Sequence, residues 1–179
     1  GIVLTDTFQL AESDGSDRLF SEMFPQNSER VQKQKDAPIQ VIIGNPPYSR
    51  GQDGANDFAQ NQTYQRLESR ISETYALNNE STLSRDLYNS YMKAFRWSSD
   101  RITAEGGIIA FITGSGFIDK GSYSGFRKSL ENEFSNIYVF NLRGDIRGKA
   151  REDAKREGQN VFDIMTGVAI TILVKKPNS

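Results

Sequence analysis

Five runs of apolar residues along the chain predict β-strands. The run at 39–44, IQVIIG, is apolar without alternation, which is typical of a strand covered on both faces in a parallel sheet. The other runs lie at 1–8, 106–113, 136–142 and 167–176. The chain therefore predicts a domain built on a sheet.

Helical spacing of apolar residues marks the segments between these strands. The periodicity predicts three helices, over about 64–77, 87–102 and 124–134. Residues 11–38 are polar and mixed, and they predict only a helical turn around 16–24. Strands that alternate with helices predict an α/β layered sheet. The long crossover at 143–166 lacks the apolar periodicity of a packed helix, so the final strand is expected to run antiparallel to its neighbours.

The composition excludes several classes of protein and of catalysis. With 179 residues, the chain is long enough for one globular domain, and no apolar run approaches the ~20 residues of a transmembrane helix. The first residues lack the basic region of a secretory signal, and the absence of cysteine fits a cytoplasmic protein. Because histidine is also absent, thiol nucleophiles, histidine bases and the zinc sites built from these residues are excluded.

The segment directly after the strand at 39–44 carries the clearest chemistry, Asn45-Pro46-Pro47-Tyr48. Ligands of open α/β sheets bind beyond the carboxyl ends of the strands. Each proline fixes φ at about -65° and removes an N–H group, so the turn is stiff and its carbonyls point outward. The Asn45 amide and a backbone carbonyl suit both hydrogens of an exocyclic amine, and Tyr48 offers a flat face for stacking. The alternative is a proline-stiffened turn with a surface tyrosine.

The segment GNPPYS after an apolar strand resembles motif IV of the amino-methyltransferases that use S-adenosylmethionine, above all the DNA N6-adenine methyltransferases. Other segments resemble further motifs of that family, in the family's order. IVLTDTF is similar to motif III, GGIIAFITGSGFI to motif VI, FRKSLENEFSNIYVFNL to motif VII and NVFDIMTGVAITILVKK to motif VIII. The polar insert at 49–82 is similar to that of large single-chain restriction–modification enzymes.

The resemblance also implies a fold. It identifies residues 1–179 as the C-terminal catalytic portion of a Rossmann-like methyltransferase domain, with strands 3–7 of the family sheet and without strands 1 and 2. In the family strand order 3-2-1-4-5-7-6, the strand at 39–43 is then an exposed apolar edge. We therefore expect the chain to dimerise or aggregate, or residues 2–5 to fold back onto that edge.

The resemblance places the catalytic groups on the turn after this strand. Asn45 and the Pro46 carbonyl match the groups that receive the target amine, Pro47 completes the motif, and Tyr48 matches the aromatic that stacks on the flipped base. An adenine in a duplex must be extruded first, and stacking at ~1–3 kcal/mol per base is of the size needed to offset that cost. Phe162 matches a second aromatic against the base, with an ordinary core position as the equal alternative.

Cosubstrate contacts are implied near the start of the chain. Asp6 matches a residue that accepts from the amino group of the S-adenosylmethionine adenine, and Phe8 one that packs on the ring. In the family the aromatic more often follows the acid directly, whereas Thr7 intervenes here. The alternative for Asp6 is an ordinary turn residue. The family's glycine-rich cosubstrate loop lies outside the motifs matched, so the isolated chain is expected to bind S-adenosylmethionine very weakly or not at all, and to be inactive.

The charged loop at 143–160 is the candidate for contacts with DNA phosphates. Its candidate residues are Arg143, Arg147, Lys149 and Arg151. The acids of the loop nearly balance its bases, and the net charge of the chain is -1, so a solvated or salt-bridged loop is the favoured alternative. TGSGF at 113–117 is expected to be a turn at the ligand edge of the sheet.

The resemblance therefore implies a methyltransferase that modifies N6 of a flipped adenine within a restriction–modification enzyme. Double-stranded DNA is the expected partner, with nuclease, helicase-like and target-recognition domains on the same polypeptide, and neither a metal nor a membrane is expected. Two alternatives stay open, methylation of a protein glutamine amide and a non-catalytic DNA-binding or interaction scaffold. Cytosine-C5 methylation is excluded because it needs a cysteine nucleophile. Cytosine-N4 motifs more often begin with Ser or Asp than with Asn.

Overall fold

A computed structural model describes residues 6–12, 25–47, 63–81, 85–146, 152 and 166–177. Its helices are α1 Pro25–Asp36, α2 Gln65–Ile71, α3 Ser90–Arg101 and α4 Ser124–Glu133. Its strands are β1 Val41–Gly44, β2 Gly107–Gly114, β3 Asn136–Asn141 and β4 Val168–Lys175. A π-helical turn, Ser72–Ala76, extends α2, so the predicted helix over 64–77 is confirmed.

The four strands form one mixed sheet in the order β1-β2-β4-β3. β1 pairs with β2 in parallel, and β4 pairs antiparallel with both β2 and β3. The predicted antiparallel last strand is thereby confirmed. Because β3 then runs in the same direction as β1 and β2, these three strands end at the same edge of the sheet, where β4 begins. We call this edge the carboxyl edge.

The predicted strand at 1–8 is corrected where the structure describes it. Asp6 to Phe8 form a turn, and a 3-10 helix, Gln9–Ala11, follows them. The Asp6 carboxylate accepts a hydrogen bond from the Phe8 backbone N–H at 2.9 Å, which closes the turn locally and replaces a strand ladder. Residues 1–5 lie outside the described residues.

Helix α1 was not predicted from the sequence, because it has no apolar stripe. None of its residues is buried, so its formation does not depend on a hydrophobic face. Arg101 instead donates from Nη2 to the carbonyl oxygens of Gln34, Lys35 and Ala37, at 2.5, 2.8 and 3.0 Å. A cation at the end of a helix satisfies carbonyls that lack partners within the helix. The helical turn predicted around 16–24 lies outside the described residues.

The core lies on one face of the sheet, beneath α2, α3 and α4. Phe95 of α3 packs on Phe111 of β2 and on Phe126 of α4, with ring centroids 5.2 Å apart in both pairs. Phe117 packs edge-on against Phe126 at 5.6 Å. Gly125 permits the close approach of α4 to the end of α2, since a Cβ at this position would lie 1.9 Å from the carbonyl oxygen of Tyr75.

A buried arginine joins α3 to α4. Arg96 is 1% exposed and donates to both carboxylate oxygens of Glu133 at 2.7 Å and to Asp100 at 2.7 Å. Its guanidinium also lies over the ring of Tyr75. Burial lowers the pKa of Arg96, but the hydrogen bonds to Glu133 and the surrounding charge outweigh burial and raise it. Arg96 therefore stays charged and ties the two helices together.

The other face of the sheet is apolar and exposed, which corrects the prediction that the run at 39–44 is covered on both faces. Val41 and Ile43 of β1 are 59% and 78% exposed, because the helices with buried residues pack on the opposite face. The exposed face continues through Ile108, which pairs with Val41, and through Tyr138 and Phe140 of β3. Among the described strands, β1 also lies at the end of the strand order, as predicted. Residues 2–5, which were expected to fold back onto that edge, lie outside the described residues.

We expect this exposed face to bind hydrophobic dyes and to cause self-association of the 179-residue chain. Ile43→Lys places a charge at its most exposed position, so it should lower both the fluorescence of bound anilinonaphthalene sulfonate and the apparent mass in light scattering. Leu77→Lys is the matched control, since Leu77 is 77% exposed but follows the π-helical turn. Equal effects of the two substitutions would contradict the prediction.

The Arg96 ion pair predicts a large loss of stability on truncation. Arg96→Ala leaves the Glu133 carboxylate without its bidentate partner, so we expect the free energy of unfolding to fall by about 3–5 kcal/mol in urea denaturation followed by circular dichroism. Lys128→Ala, on the same helix as Glu133, removes an exposed pair with Glu131 and should change stability little. A loss for Arg96→Ala no greater than that for Lys128→Ala would show that the pair is not stabilising.

Candidate active site at the carboxyl edge

The Asn45-Pro46-Pro47 turn begins where β1 leaves the sheet. Gly44, the last residue of β1, pairs with Phe111 of β2, and a Cβ on Gly44 would lie 3.2 Å from the Phe111 ring. A side chain at position 44 would therefore have to displace the ring slightly. Asn45 and Pro47 are exposed and Pro46 is half-buried, outside any ladder.

The loop after β2 lies beside this turn along the same edge. A 3-10 helix, Ser115–Phe117, follows the strand, in agreement with the turn predicted at 113–117. The Ser115 N–H donates to the carbonyl oxygen of Gly167 at 2.8 Å, which joins the loop to the residue before β4. A Cβ at Gly167 would lie 2.3 Å from the Ser115 hydroxyl oxygen, so only glycine permits this approach.

The turn after β3 completes the edge with an unusual backbone. Arg143 and Gly144 both have positive φ, 60° and 84°. A positive φ is uncommon for a residue with a side chain. The Arg143 carbonyl accepts from the Val168 N–H at 3.0 Å, and its own N–H donates to the Asn141 side chain at 2.9 Å. Of the four predicted phosphate contacts, Arg143 is the described one, and it is exposed at the carboxyl edge.

Buried polar side chains support the loop after β2 from below. Tyr91, near the start of α3, lies 3.8 Å from the position of a Cβ on Gly114. Its hydroxyl lies 2.9 Å from that of Tyr123, which accepts from the Asn89 amide at 3.3 Å. Burial raises the pKa of Tyr91 most, and the Tyr123 hydroxyl raises it further, so the phenol remains a neutral donor. The first turn of α3 therefore lies at the carboxyl edge.

Asp6 and Phe8 both contact one tyrosine that precedes α2. The Tyr64 hydroxyl donates to Oδ2 of Asp6 at 2.5 Å, while Oδ1 accepts from the Phe8 N–H. The Phe8 ring packs edge-on against the Tyr64 ring, with centroids 5.4 Å apart. Asp6 thus closes a turn, and its carboxylate is also held by a distant side chain. Its contact with the cosubstrate stays a prediction.

Tyr64 and Glu12 are site residues that the sequence did not reveal. Glu12 accepts from the backbone N–H groups of Arg66 and Leu67, at 2.9 and 3.0 Å, and so satisfies the first turn of α2. Helix caps are recognised in sequences by residues adjacent to the helix, whereas Glu12 lies 54 positions before Arg66. The pairing of Asp6 with Tyr64 has no sequence signal either.

Several predicted site residues lie outside the described residues. They are the stacking aromatics Tyr48 and Phe162 and the candidate phosphate contacts Arg147, Lys149 and Arg151. The structure thus brings Asn45, Pro46, Pro47 and Arg143 to one edge by strand direction. The roles of the remaining residues stay predictions.

A basic cavity of about 400 Å³ lies apart from the carboxyl edge. Arg101, at the end of α3, belongs to it, ten residues or about 15 Å along the helix from Tyr91. Two of its arginines are already engaged within the fold, since Arg70 pairs with Asp100 and Glu73, and Arg101 with carbonyls of α1. The lining residues are Leu10, Lys35, Arg66, Leu67, Arg70, Trp97, Asp100 and Arg101.

Two further findings concern the described ranges. Within them, no group of three or more Asp or Glu side chains is arranged to hold a metal ion. No helix in that part of the chain is both long and apolar enough to cross a membrane.

Solved structures of restriction–modification enzymes are similar to this chain. The ATP-dependent Type ISP restriction-modification enzyme LlaBIII bound to DNA matches 100% of this chain with 12% of its own, at a TM-score of 0.88 and 44% identity. A nuclease-deletion mutant of the Type ISP enzyme LlaGI, in complex with a DNA substrate mimic, matches 99% of this chain with 14% of its own length. The TM-score is 0.88 and the sequence identity is 42%. The structure of the DrdV–DNA complex matches 100% of this chain with 17% of its own, at a TM-score of 0.85 and a sequence identity of 37%.

The chain thus spans 12–17% of the length of these proteins. No curated protein matches it. The Eco57I restriction-modification methylase family matches residues 5–145, which include β1 with its Asn45-Pro46-Pro47 turn, the loop after β2 and the turn after β3. The chain belongs to the Eco57I restriction-modification methylase family.

Proposed function

We propose that this chain forms the catalytic part of a DNA methyltransferase that transfers a methyl group from S-adenosylmethionine to N6 of a flipped adenine. The observation that carries the proposal is the position of Asn45-Pro46-Pro47 at the carboxyl edge, directly after a strand of a family methylase sheet. This is where open α/β sheets bind their ligands.

The chemistry of the turn supports an amine as the acceptor group. The Asn45 side-chain carbonyl and the Pro46 carbonyl accept hydrogen bonds from the two N–H groups of a planar amine. Accepting both keeps electron density on the nitrogen and favours its pyramidal, nucleophilic form. The proton leaves after attack, so the chain needs no histidine or cysteine base.

The stiffness of the turn supports preorganised binding. Pro46 and Pro47 fix two successive φ angles, and the Phe111 ring closes the space beside Gly44. The acceptors are therefore held before the substrate arrives, which lowers the entropic cost of orienting the amine. Tyr48 follows directly, and its proposed role is to stack on the extruded base.

S-adenosylmethionine, when bound, supplies the methyl group. A test of fit is the state of Asp6, because an acceptor for the cosubstrate's amino group must be an oriented carboxylate. Asp6 meets that requirement through two hydrogen bonds, one from Phe8 and one from Tyr64. We therefore propose Asp6 and Phe8 as contacts of the cosubstrate's adenine.

The neighbours support DNA as the substrate, since each of the three solved enzymes is described as bound to DNA or to a DNA mimic. Their greater length, and the nuclease named for LlaGI, also support the proposal that the activity belongs to a longer polypeptide with a nuclease domain. Helicase-like and target-recognition domains on the same polypeptide are part of the proposal. Arg143, exposed at the same edge, is the described candidate for a phosphate contact.

Substitution of Asn45 tests the reaction and the site together. The longest polypeptide that carries this chain is incubated with labelled S-adenosylmethionine and mixed-sequence duplex DNA, which is then digested to nucleosides. We expect label in N6-methyladenosine, and we expect Asn45→Ala to lower the rate by roughly 100-fold or more, the size typical of losing one group that binds the reacting atoms. DNA binding should persist.

Asn78→Ala is the matched control, since Asn78 is an exposed asparagine that bonds only to the Thr74 carbonyl among the described residues. Its rate should equal that of the parent. Label in N4-methylcytosine or in protein glutamine would replace the adenine assignment. DNA binding with no transfer to any acceptor would leave a non-catalytic scaffold as the function.

A further inference from the structure

We infer that Tyr64 is a positioning residue for cosubstrate binding, which acts by fixing the carboxylate of Asp6. This inference rests on the proposed function, because it concerns the same site. Tyr64 is 4% exposed, and its hydroxyl donates to Oδ2 of Asp6 at 2.5 Å. The contact joins residues 58 positions apart in the sequence.

Two donors at different oxygens fix the plane of a carboxylate. Oδ1 of Asp6 is held by the Phe8 N–H within the local turn, and Oδ2 is held by Tyr64. With the local bond alone, the carboxylate could still turn about its Cβ–Cγ bond, since this torsion is broad. The Tyr64 hydroxyl removes that freedom, so the carboxylate is ready to accept from a ligand amine.

The Tyr64 ring is itself held from two sides. Phe8 packs edge-on against it at 5.4 Å, and the Lys93 ammonium lies 5.2 Å from its centroid. Lys93 in turn pairs with Glu68 at 2.6 Å, one turn into α2. These contacts fix the orientation of the Tyr64 ring, so its hydroxyl stays within hydrogen-bonding distance of Asp6.

A second attachment holds the segment that carries Asp6. Glu12 binds the N–H groups of Arg66 and Leu67 in the first turn of α2, next to Tyr64. Residues 6–12 therefore contact the start of α2 at both ends of the segment, through Asp6 and through Glu12. Asp6 is therefore held both by its own turn and by the residue that precedes α2.

The Lys93 ammonium connects the cluster to the half of α3 that is nearer to the carboxyl edge. Tyr91 approaches Gly114 at that edge, and Lys93 follows two residues later, about 3 Å further along α3. The basic cavity near Arg101, further along the same helix, is also lined by Leu10, Arg66 and Leu67, so the segment 6–12 and the start of α2 lie between the Lys93 contact and that cavity.

The hydroxyl of Tyr64 remains a donor over the working range of pH. Burial, followed by the hydrogen bond and the negative charge of Asp6, raises the pKa of Tyr64 above its ordinary value. The phenol is therefore protonated at neutral pH, and the contact with Asp6 persists up to strongly alkaline solution. The pH dependence of binding between about 7 and 9, below the ordinary pKa of a tyrosine, should accordingly be unchanged by Tyr64→Phe.

The test separates the hydroxyl from the ring. Tyr64→Phe keeps the packing against Phe8 but removes the donor to Asp6, and the longest polypeptide that carries this chain is titrated with S-adenosylmethionine in a calorimeter. We expect the dissociation constant and the KM for S-adenosylmethionine to rise about 10-fold, the size of one hydrogen bond to a charged group. The kcat and the KM for DNA should change less than twofold.

Tyr75→Phe is the matched control, because Tyr75 is fully buried and its hydroxyl has no hydrogen-bond partner among the described atoms. It should leave cosubstrate affinity unchanged. A double-mutant cycle adds Asp6→Asn. When Asp6→Asn is already present, the further loss of the Tyr64 hydroxyl should weaken binding by much less than about 10-fold, because the charged acceptor is gone.

The outcomes distinguish this inference from the proposed function. If the parent binds S-adenosylmethionine and Tyr64→Phe binds it equally well, the inference is wrong and the proposed function stands. If Tyr64→Phe lowers only the unfolding midpoint, Tyr64 has a purely structural role and the inference is again wrong. If the parent binds no S-adenosylmethionine, the proposed function itself fails.

Discussion

The insertion of β4 between β2 and β3 is the constraint on which the rest of this domain depends. β4 pairs with both neighbours along most of its length, so it fixes their separation and their register. The start of β4 also makes backbone hydrogen bonds along the carboxyl edge. The Gly167 carbonyl accepts one from the loop after β2, and the Val168 N–H donates one to the turn after β3. Without β4, no strand would hold the ends of β2 and β3 at a fixed separation.

These contacts at the carboxyl edge are backbone hydrogen bonds, and at some of their positions they require a residue without a side chain. Gly167 is needed because Ser115 and Asp145 lie where its Cβ would be, and Gly144 follows Arg143 in a second positive φ. The loops at this edge are thus held mainly by backbone hydrogen bonds. The Asn141 side chain is an exception, since it accepts from the Arg143 N–H.

The sequence was informative where hydrophobic burial decides the structure. The apolar runs located β2 and β4, and helical spacing located α2, α3 and α4, because each of these elements has buried residues. The apolar run at 136–142 also located β3, although all the residues of that strand are exposed. The turn Asn45-Pro46-Pro47 could be found since proline fixes the backbone by itself. The run at 39–44 could not show whether one face or both faces of its strand are buried, because both arrangements are compatible with the same apolar residues.

Contacts between distant polar residues could not be predicted from the sequence. α1 has no buried face and is fixed by carbonyl contacts with Arg101, 67 positions after Gln34, and Asp6 receives Tyr64 from a similar distance. The resemblance to methyltransferases pointed to Asp6 through its motif, but it gave no indication of what orients the carboxylate. Such partners depend on how helices cross, which the local periodicity does not encode.

The lack of a buried face on α1 has a consequence for local motion. A helix with no buried residue gains little from packing, so its opening costs far less than global unfolding. Amide protons of Pro25–Asp36 should therefore exchange with solvent long before those of β2 and β4, and proteases should cleave there first. We therefore expect α1 and the central strands to open as separate cooperative units.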